Sequence, residues 1–245
     1  MQKCKSSKML IFLNLQTTGL ESADRICSIG IIGVESNKCI SKYDLINDGK
    51  KISSKASSIN NITNEMLKDR AKFQETDVYR FLQEHNNKNS TLIAHNIGFT
   101  LKMLLQSGFN WSGEIIDTQR VTKHLIPECG EFSLQFLRYE LKLYRDEKEL
   151  AIKSGVNDEL FQRGALNNSL YIKLLYNYLL EIEPHINLIE LSSKNVLINR
   201  FEFGKYSGCY IEEISISDRG YLVWMLESIE SLDDDLRYSI KNYLS

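Results

Sequence analysis

Only two prolines, Pro127 and Pro184, interrupt the 245 residues, which excludes proline-rich linkers and polyproline segments. No apolar run approaches the ~20 residues that a membrane-spanning helix needs. Lys3, Lys5 and Lys8 stand before an apolar stretch, Met9–Leu13, that is too short for the hydrophobic core of a secretory leader. A cytoplasmic protein without a membrane partner is the expectation. The five cysteines (Cys4, Cys27, Cys39, Cys129 and Cys209) are scattered, and none belongs to a Cys-x-x-Cys pair. Reduced thiols are expected, without a disulfide framework or a zinc site. His124 and Cys129 lie close in sequence, but they are two ligands where a structural zinc takes four. There is also no large excess of one charge. A net of −2 does not suit a protein that coats nucleic acid nonspecifically.

What is present is an ordinary folding composition, 42% hydrophobic and 25% charged, which excludes a disordered chain. The charge is uneven. Val196–Ser245 holds nine acidic and five basic residues, a net of −4, which leaves +2 for the first 195. Phosphate, if bound, belongs with the larger segment. Pro184 follows a long apolar-periodic stretch and marks a helix end. Glu183–Asn187 then reads as a joint between a body, residues 8–182, and a small module, residues 195–245.

Apolar alternation predicts strands at Met9–Gln16, Ile26–Val34 and Cys39–Ile46, joined by short connections as an antiparallel meander. Helices are expected at Thr63–Arg70, Thr76–His85, Phe99–Ser107, Thr118–Leu125, Ser133–Leu141 and Gly164–Glu181. Short strands at Thr91–Ala94 and Glu114–Ile116 fall between them. A meander followed by alternating helices and strands gives an α/β domain with one mixed sheet.

Met9–Leu20 reads MLIFLNLQTTGL. It resembles the first motif of the DEDDh-type 3′–5′ exonucleases, the proofreading family that includes DNA polymerase III epsilon. That family has Asp at the position of Asn14 and Glu at that of Gln16. Further matches follow in order: Ile62–Leu67 (ITNEML), Leu92–Thr100 (LIAHNIGFT, where the family ends on Asp), Ile116–Thr118 with Arg120, Ser133–Leu137 (SLQFL) and Arg163–Asn168 (RGALNN, where the family has His-x-Ala-Leu-x-Asp). The resemblance spans about Met9–Leu180. It implies a ribonuclease-H-like fold, a five-stranded mixed sheet flanked by helices.

The resemblance also implies a chemistry. Active relatives hydrolyse a terminal phosphodiester with two divalent cations, usually Mg or Mn, about 4 Å apart. Four carboxylates hold these hard cations beside an anionic substrate, and a histidine serves as general base. The first two acids sit at i and i+2 of a strand, so alternation puts them on one face. Here all five positions are changed, to Asn14, Gln16, Thr100, Arg163 and Asn168. Three substitutions keep the shape of the acid and lose its charge. Arg163 cannot act as a base at physiological pH. The surrounding positions that would bind substrate remain: Thr17, Thr18, Gly19, Leu20, His95, Asn96 and Phe99. The leading expectation is therefore an exonuclease-family protein that is catalytically inactive and binds no metal or other cofactor. It keeps a site for a single-stranded DNA or RNA 3′ end, or for a replication or repair partner.

Two alternatives stand beside it. One is an active metal-dependent exonuclease with displaced ligands, drawn from Asp24, Asp44, Asp117 and Asp158. The other is a protein-interaction scaffold without a nucleic-acid role. His95 reads as scaffold, and His85 and His124 as surface residues. Tyr171, Tyr176 and Tyr178 are expected to pack rather than stack on bases, and Lys50, Lys51 and Lys55 to lie on a solvated loop. In the module, Phe-Gly-Lys-Tyr-x-Gly and Tyr-Leu-x-Trp-x-Leu within Phe201–Leu226 resemble a small unit found alone or behind exonuclease-like domains in bacteria. Gly204 and Gly208 suggest a turn between two extended pieces. A helix follows at Tyr221–Leu226, and another from Asp233–Asp235 to near Tyr243. The acidity of this module favours packing on the body or on a polymerase or other protein over phosphate contact.

Overall fold

Strand β1 (Met9–Thr17) is central, and its side chains alternate between two cores. Met9, Ile11, Leu13 and Leu15 face one hydrophobic cluster, while Phe12 faces the other. Asn14 and Gln16 continue the Phe12 face. A computed structural model of the chain describes residues 8–36, 38–156 and 164–245. Among these, β1 pairs antiparallel with β2 (Ile26–Glu35), and β2 pairs antiparallel with β3 (Lys38–Leu45). On its other side β1 runs parallel to β4 (Ser90–Ala94), which is parallel to β5 (Glu114–Asp117). The order β3-β2-β1-β4-β5 is the expected mixed five-stranded sheet, with helices on its faces.

The helices of the first unit are α1 (Ser54–Asn60), α2 (Asn64–Leu67), α3 (Asp77–Glu84), α4 (Ile97–Gln106), α5 (Thr118–Leu125), α6 (Leu134–Glu140), α7 (Glu147–Lys153), α8 (Gly164–Ile182) and α9 (His185–Ser193). Side-chain oxygens of Ser53, Thr63, Thr76, Asn96, Asp117 and Ser133 cap six of them at the N-terminus, the role these residue types favour. Helix α8 is buried along most of its length and packs on β1 and β2. Its approach is close: a Cβ on Gly30 of β2 would lie 2.4 Å from the Leu166 backbone nitrogen. The Ser169 hydroxyl adds a bond to the Gly30 carbonyl at 2.8 Å. Glycine is what lets the front of α8, and with it Asn168, come down onto the sheet.

Several expectations shift. Helix α1 falls in a polar stretch read as loop, and α7 was not expected; only Ala56 of α1 is buried, so it lacks an apolar periodicity. Pro184 ends one helix and begins another: the Leu188 N–H donates to the Pro184 carbonyl at the start of α9. Proline suits a first turn, where its missing N–H has no intrahelical partner. The chain divides into compact units after Ser192, not at Glu183–Asn187. Helix α9 reaches back to the sheet, where its Ser192 hydroxyl accepts from the Asp117 N–H at 2.8 Å. Tyr171 and Tyr176 are buried.

The second unit, Ser193–Ser245, has its own core of Phe201, Ile211, Ile214, Leu222, Met225, Leu236 and Ile240. Its helices are α10 (Ile211–Ser217), α11 (Arg219–Ser228) and α12 (Asp234–Leu244). In place of two extended pieces there is a single bridge, Arg200 to Tyr210, with Gly204 and Gly208 in the left-handed region. The Lys-Tyr pair of the motif is spent on Asp218: Lys205 Nζ donates to its carboxylate at 3.1 Å and the Tyr206 hydroxyl at 2.6 Å. Asp218 also caps α11 through the Tyr221 N–H.

Candidate active site

Gln16 stands opposite Ser28 across the β1–β2 ladder, and its carbonyl oxygen accepts from the Ser28 hydroxyl at 2.6 Å. Two residues back on the same face, Asn14 meets α8. The Asn168 Nδ2 donates to Asn14 Oδ1 at 3.2 Å. Gln135 on α6 completes the row, donating through Nε2 to Asn168 Oδ1 at 3.2 Å. Three carboxamides from three elements thus form a continuous chain, with the middle one, Asn168, both donating and accepting. Carboxylates in those places could not do this, because an ionised carboxylate only accepts. The row forms part of the wall of an open cleft of about 1040 Å³, which Leu20, Phe99 and Arg70 also line.

The other positions fall differently. Thr100 is buried on α4, and its hydroxyl turns back to the Asn96 carbonyl at 3.5 Å. Arg163 and Asp158 lie outside the described residues. Thr17, Leu20 and Phe99 line the cleft, and Thr18 and Gly19 line the groove beside it. His95 and Asn96 serve the framework. His95 Nε2 donates to the Phe132 carbonyl at 2.7 Å, and its Nδ1 meets the Thr118 hydroxyl at 3.0 Å. Burial holds the imidazole below its ordinary pKa, against the opposing pull of the Phe132 carbonyl and Asp117. Asn96 adopts φ 65°, a left-handed conformation that Asn tolerates better than most residues, and its side chain caps α4 through the Phe99 N–H.

The acids weighed as displaced ligands are also committed elsewhere. Asp117 takes the N–H groups of Asn96 (3.1 Å), Ile97 (2.9 Å), Gln119 (2.9 Å) and Arg120 (3.3 Å). One buried carboxylate therefore caps two helices, α4 and α5. Asp24 accepts from the Thr18 hydroxyl at 2.7 Å and the Glu21 N–H at 2.8 Å. These bonds, led by Thr18, hold it below the usual carboxylate range. Asp44 caps the start of α3 through the Val78 N–H at 2.9 Å. One residue, Gln135, and one role, the double cap at Asp117, escaped the sequence reading. Gln135 could have been noticed as a polar residue inside the apolar SLQFL segment. The double cap at Asp117 has no local signal, because its Asn96 and Ile97 partners lie 20 or more positions away.

A pair of divalent cations does not fit this set. The side-chain oxygens of Asn14, Gln16 and Asn168 are neutral, and each already accepts a hydrogen bond from a neighbour. Hard cations take anionic oxygen. No group of three or more His, Cys, Asp or Glu side chains among the described residues is placed to hold a metal. No helix among them is long and apolar enough to cross a membrane.

Known proteins share this arrangement of chain. An exonuclease family model matches residues 11–148, and an exodeoxyribonuclease X-like C-terminal model matches residues 201–230. Exodeoxyribonuclease 10 of Escherichia coli K12 is 23% identical over 240 residues, covering 96% of this chain and 99% of that one. The DNA polymerase III subunit epsilon of Treponema pallidum is 30% identical over 139 residues, 52% of this chain and 62% of its own length. Among solved structures, exonuclease X in complex with 5′ overhanging duplex DNA superposes with a TM-score of 0.58 at 19% identity, over 75% of this chain and 99% of that one. E. coli exonuclease I with an oligonucleotide gives 0.51 at 14% identity, over 75% and 42%. At those identities the two structures show the fold, a ribonuclease-H-like sheet with flanking helices. With more than half of its length matched by the family model, the chain belongs to the exonuclease family.

Proposed function

We propose that this protein is a catalytically silent exonuclease-family member whose cleft receives the 3′ end of a nucleic-acid strand without hydrolysing it. The observation that carries the reading is the Gln135–Asn168–Asn14 amide row. Asn14 and Asn168, at positions where active relatives carry acids, bond each other, and Gln16 accepts from Ser28, so their oxygens are engaged without metal. A neutral cluster neither gathers two dications nor lowers the pKa of a bound water. Support for nucleic acid as the ligand comes from the family itself and from relatives solved with DNA or an oligonucleotide.

The test is hydrolysis. A 5′-labelled single-stranded DNA and its RNA counterpart, incubated with the purified chain and Mg²⁺ or Mn²⁺, are expected to stay full length. Metal-dependent shortening from the 3′ end that co-purifies with this chain, and not with a contaminant, overturns the proposal.

A further inference from the structure

A second groove, about 500 Å³, opens beside the amide cleft and shares Thr17, Leu20, Ile59 and Asn60 with it. Lys50, Lys51 and Lys55 line it, all exposed. We infer that this groove carries the phosphodiester backbone of the strand whose end enters the cleft, with these three lysines as its cations. The inference rests on the reading that the cleft's ligand is a nucleic-acid end, and it adds where the affinity comes from.

Three observations support it. The first is charge. Among the described residues, the ionised side chains lining the amide cleft are Asp44, Asp69, Glu75 and Asp77 against Arg70 and Arg80, formally −2. That described lining supplies no net positive charge for the phosphates of a strand whose end it receives. The second groove has Lys50, Lys51 and Lys55 against Glu21 and Asp24, formally +1. Asp24 is already engaged by Thr18 and the Glu21 N–H.

The second observation is that the lysines are free. None of the three forms an ion pair with another described residue; Lys50 acts on Asp24 only through its field. Three unpaired cations within six residues make a local positive field.

The third is attachment. The lysine segment is tied to the loop that ends β1. Both the N–H and the hydroxyl of Ser53 donate to the Thr18 carbonyl at 3.3 Å, and Asn60 Nδ2 donates to the Thr17 carbonyl at 2.9 Å. The groove is therefore fixed relative to Asn14 and Gln16 on the same strand. Leu20 and Ile59 belong to the shared boundary and are 82% and 71% exposed. They offer apolar surface to bases while the phosphates lie over the lysines.

The experiment is fluorescence anisotropy of a labelled single-stranded oligonucleotide with the full chain in EDTA, as a function of salt. The triple variant Lys50→Gln, Lys51→Gln, Lys55→Gln is compared with a charge-matched control, Lys88→Gln, Lys102→Gln, Lys148→Gln. Three lost phosphate contacts on a single strand reduce the slope of log affinity against log salt by about 2, so between 50 and 200 mM salt the wild-type affinity falls about 20-fold more than the variant's. The control is expected to keep the wild-type slope. Binding that the triple variant retains with an unchanged slope, or an equal effect of the control, overturns the groove and leaves the cleft reading standing. No binding by the wild type at low salt overturns both.

Discussion

Asn168 and Asn14, 154 positions apart in sequence, join α8 to the central strand by an amide–amide hydrogen bond of 3.2 Å. The contact depends on the amides, because two carboxylates at the same distance would repel each other and one would keep its proton. Replacing both, Asn14→Asp with Asn168→Asp, is expected to lower stability in EDTA at pH 7.5 by about 1–3 kcal/mol, roughly 3–10 °C in Tm. Millimolar Mn²⁺ should restore the loss in that variant and leave the wild-type Tm unmoved. Asn14→Asp alone keeps the donor from Asn168 and should be near neutral. A double variant as stable as wild type in EDTA would show that the two side chains do not meet.

Activity demands the whole set. Removing one member of a concerted catalytic unit can cost about 10⁴–10⁶-fold, and such losses do not add. The fivefold reversion Asn14→Asp, Gln16→Glu, Thr100→Asp, Arg163→His, Asn168→Asp is expected to give metal-dependent 3′ shortening where the wild type gives none. Ser28 would still donate to the side chain at position 16, so that group stays oriented. A version that omits Gln16→Glu should fall back to background on the same gel. A folded fivefold variant without activity would place the defect in the cleft's shape.

The face shared by Asn14 and Gln16 was legible because strand alternation is strict: the same parity that buries Phe12 under α8 points both amides at it. Helix starts were legible for the same kind of reason, since Thr76, Asp117 and Ser133 each precede the elements they cap. Helix α9 was not, because Pro184 carries the same signal whether it stops a helix or starts one. The amide row was visible only in part. Asn14 and Asn168 follow from the motif positions, but Gln135 joins them through tertiary packing of α6 against α8, which no local pattern encodes. Arg163 lies outside the described residues, so its part in the site stays with the reversion experiment.

Asp117, one of the acids open to reading as a displaced ligand, accepts instead from four N–H groups, and these give its capping role a measurable size. Asp117→Ala leaves buried donors at the start of both α4 and α5 without their acceptor. Two lost caps are expected to cost about 2–4 kcal/mol, read as a lower urea midpoint with an unchanged m-value. Asp117→Asn keeps one acceptor oxygen and should recover part of the loss. If Asp117 were instead a displaced metal ligand, the substitution would change a metal response and barely touch the midpoint.

His95 sets a pH dependence. Burial lowers its folded pKa, whereas in the unfolded chain it titrates near ~6.5. Below that value the unfolded state binds a proton that the folded state refuses, so stability is full above ~6.5 and falls as the pH drops toward the folded value. The slope is at most ~1.4 kcal/mol per pH unit for each such group. His185, half-buried beside Lys8, is shifted the same way and adds to it. The wild-type Tm is therefore expected to fall between pH 7.5 and 5.5. His95→Gln keeps a donor for the Phe132 carbonyl but has no proton to gain, so its Tm should fall less steeply, with His185 supplying the remainder. A wild-type Tm that holds level or rises on acidification would mean that the His95 ring takes up its proton in place, with solvent or Asp117 as its counterpart.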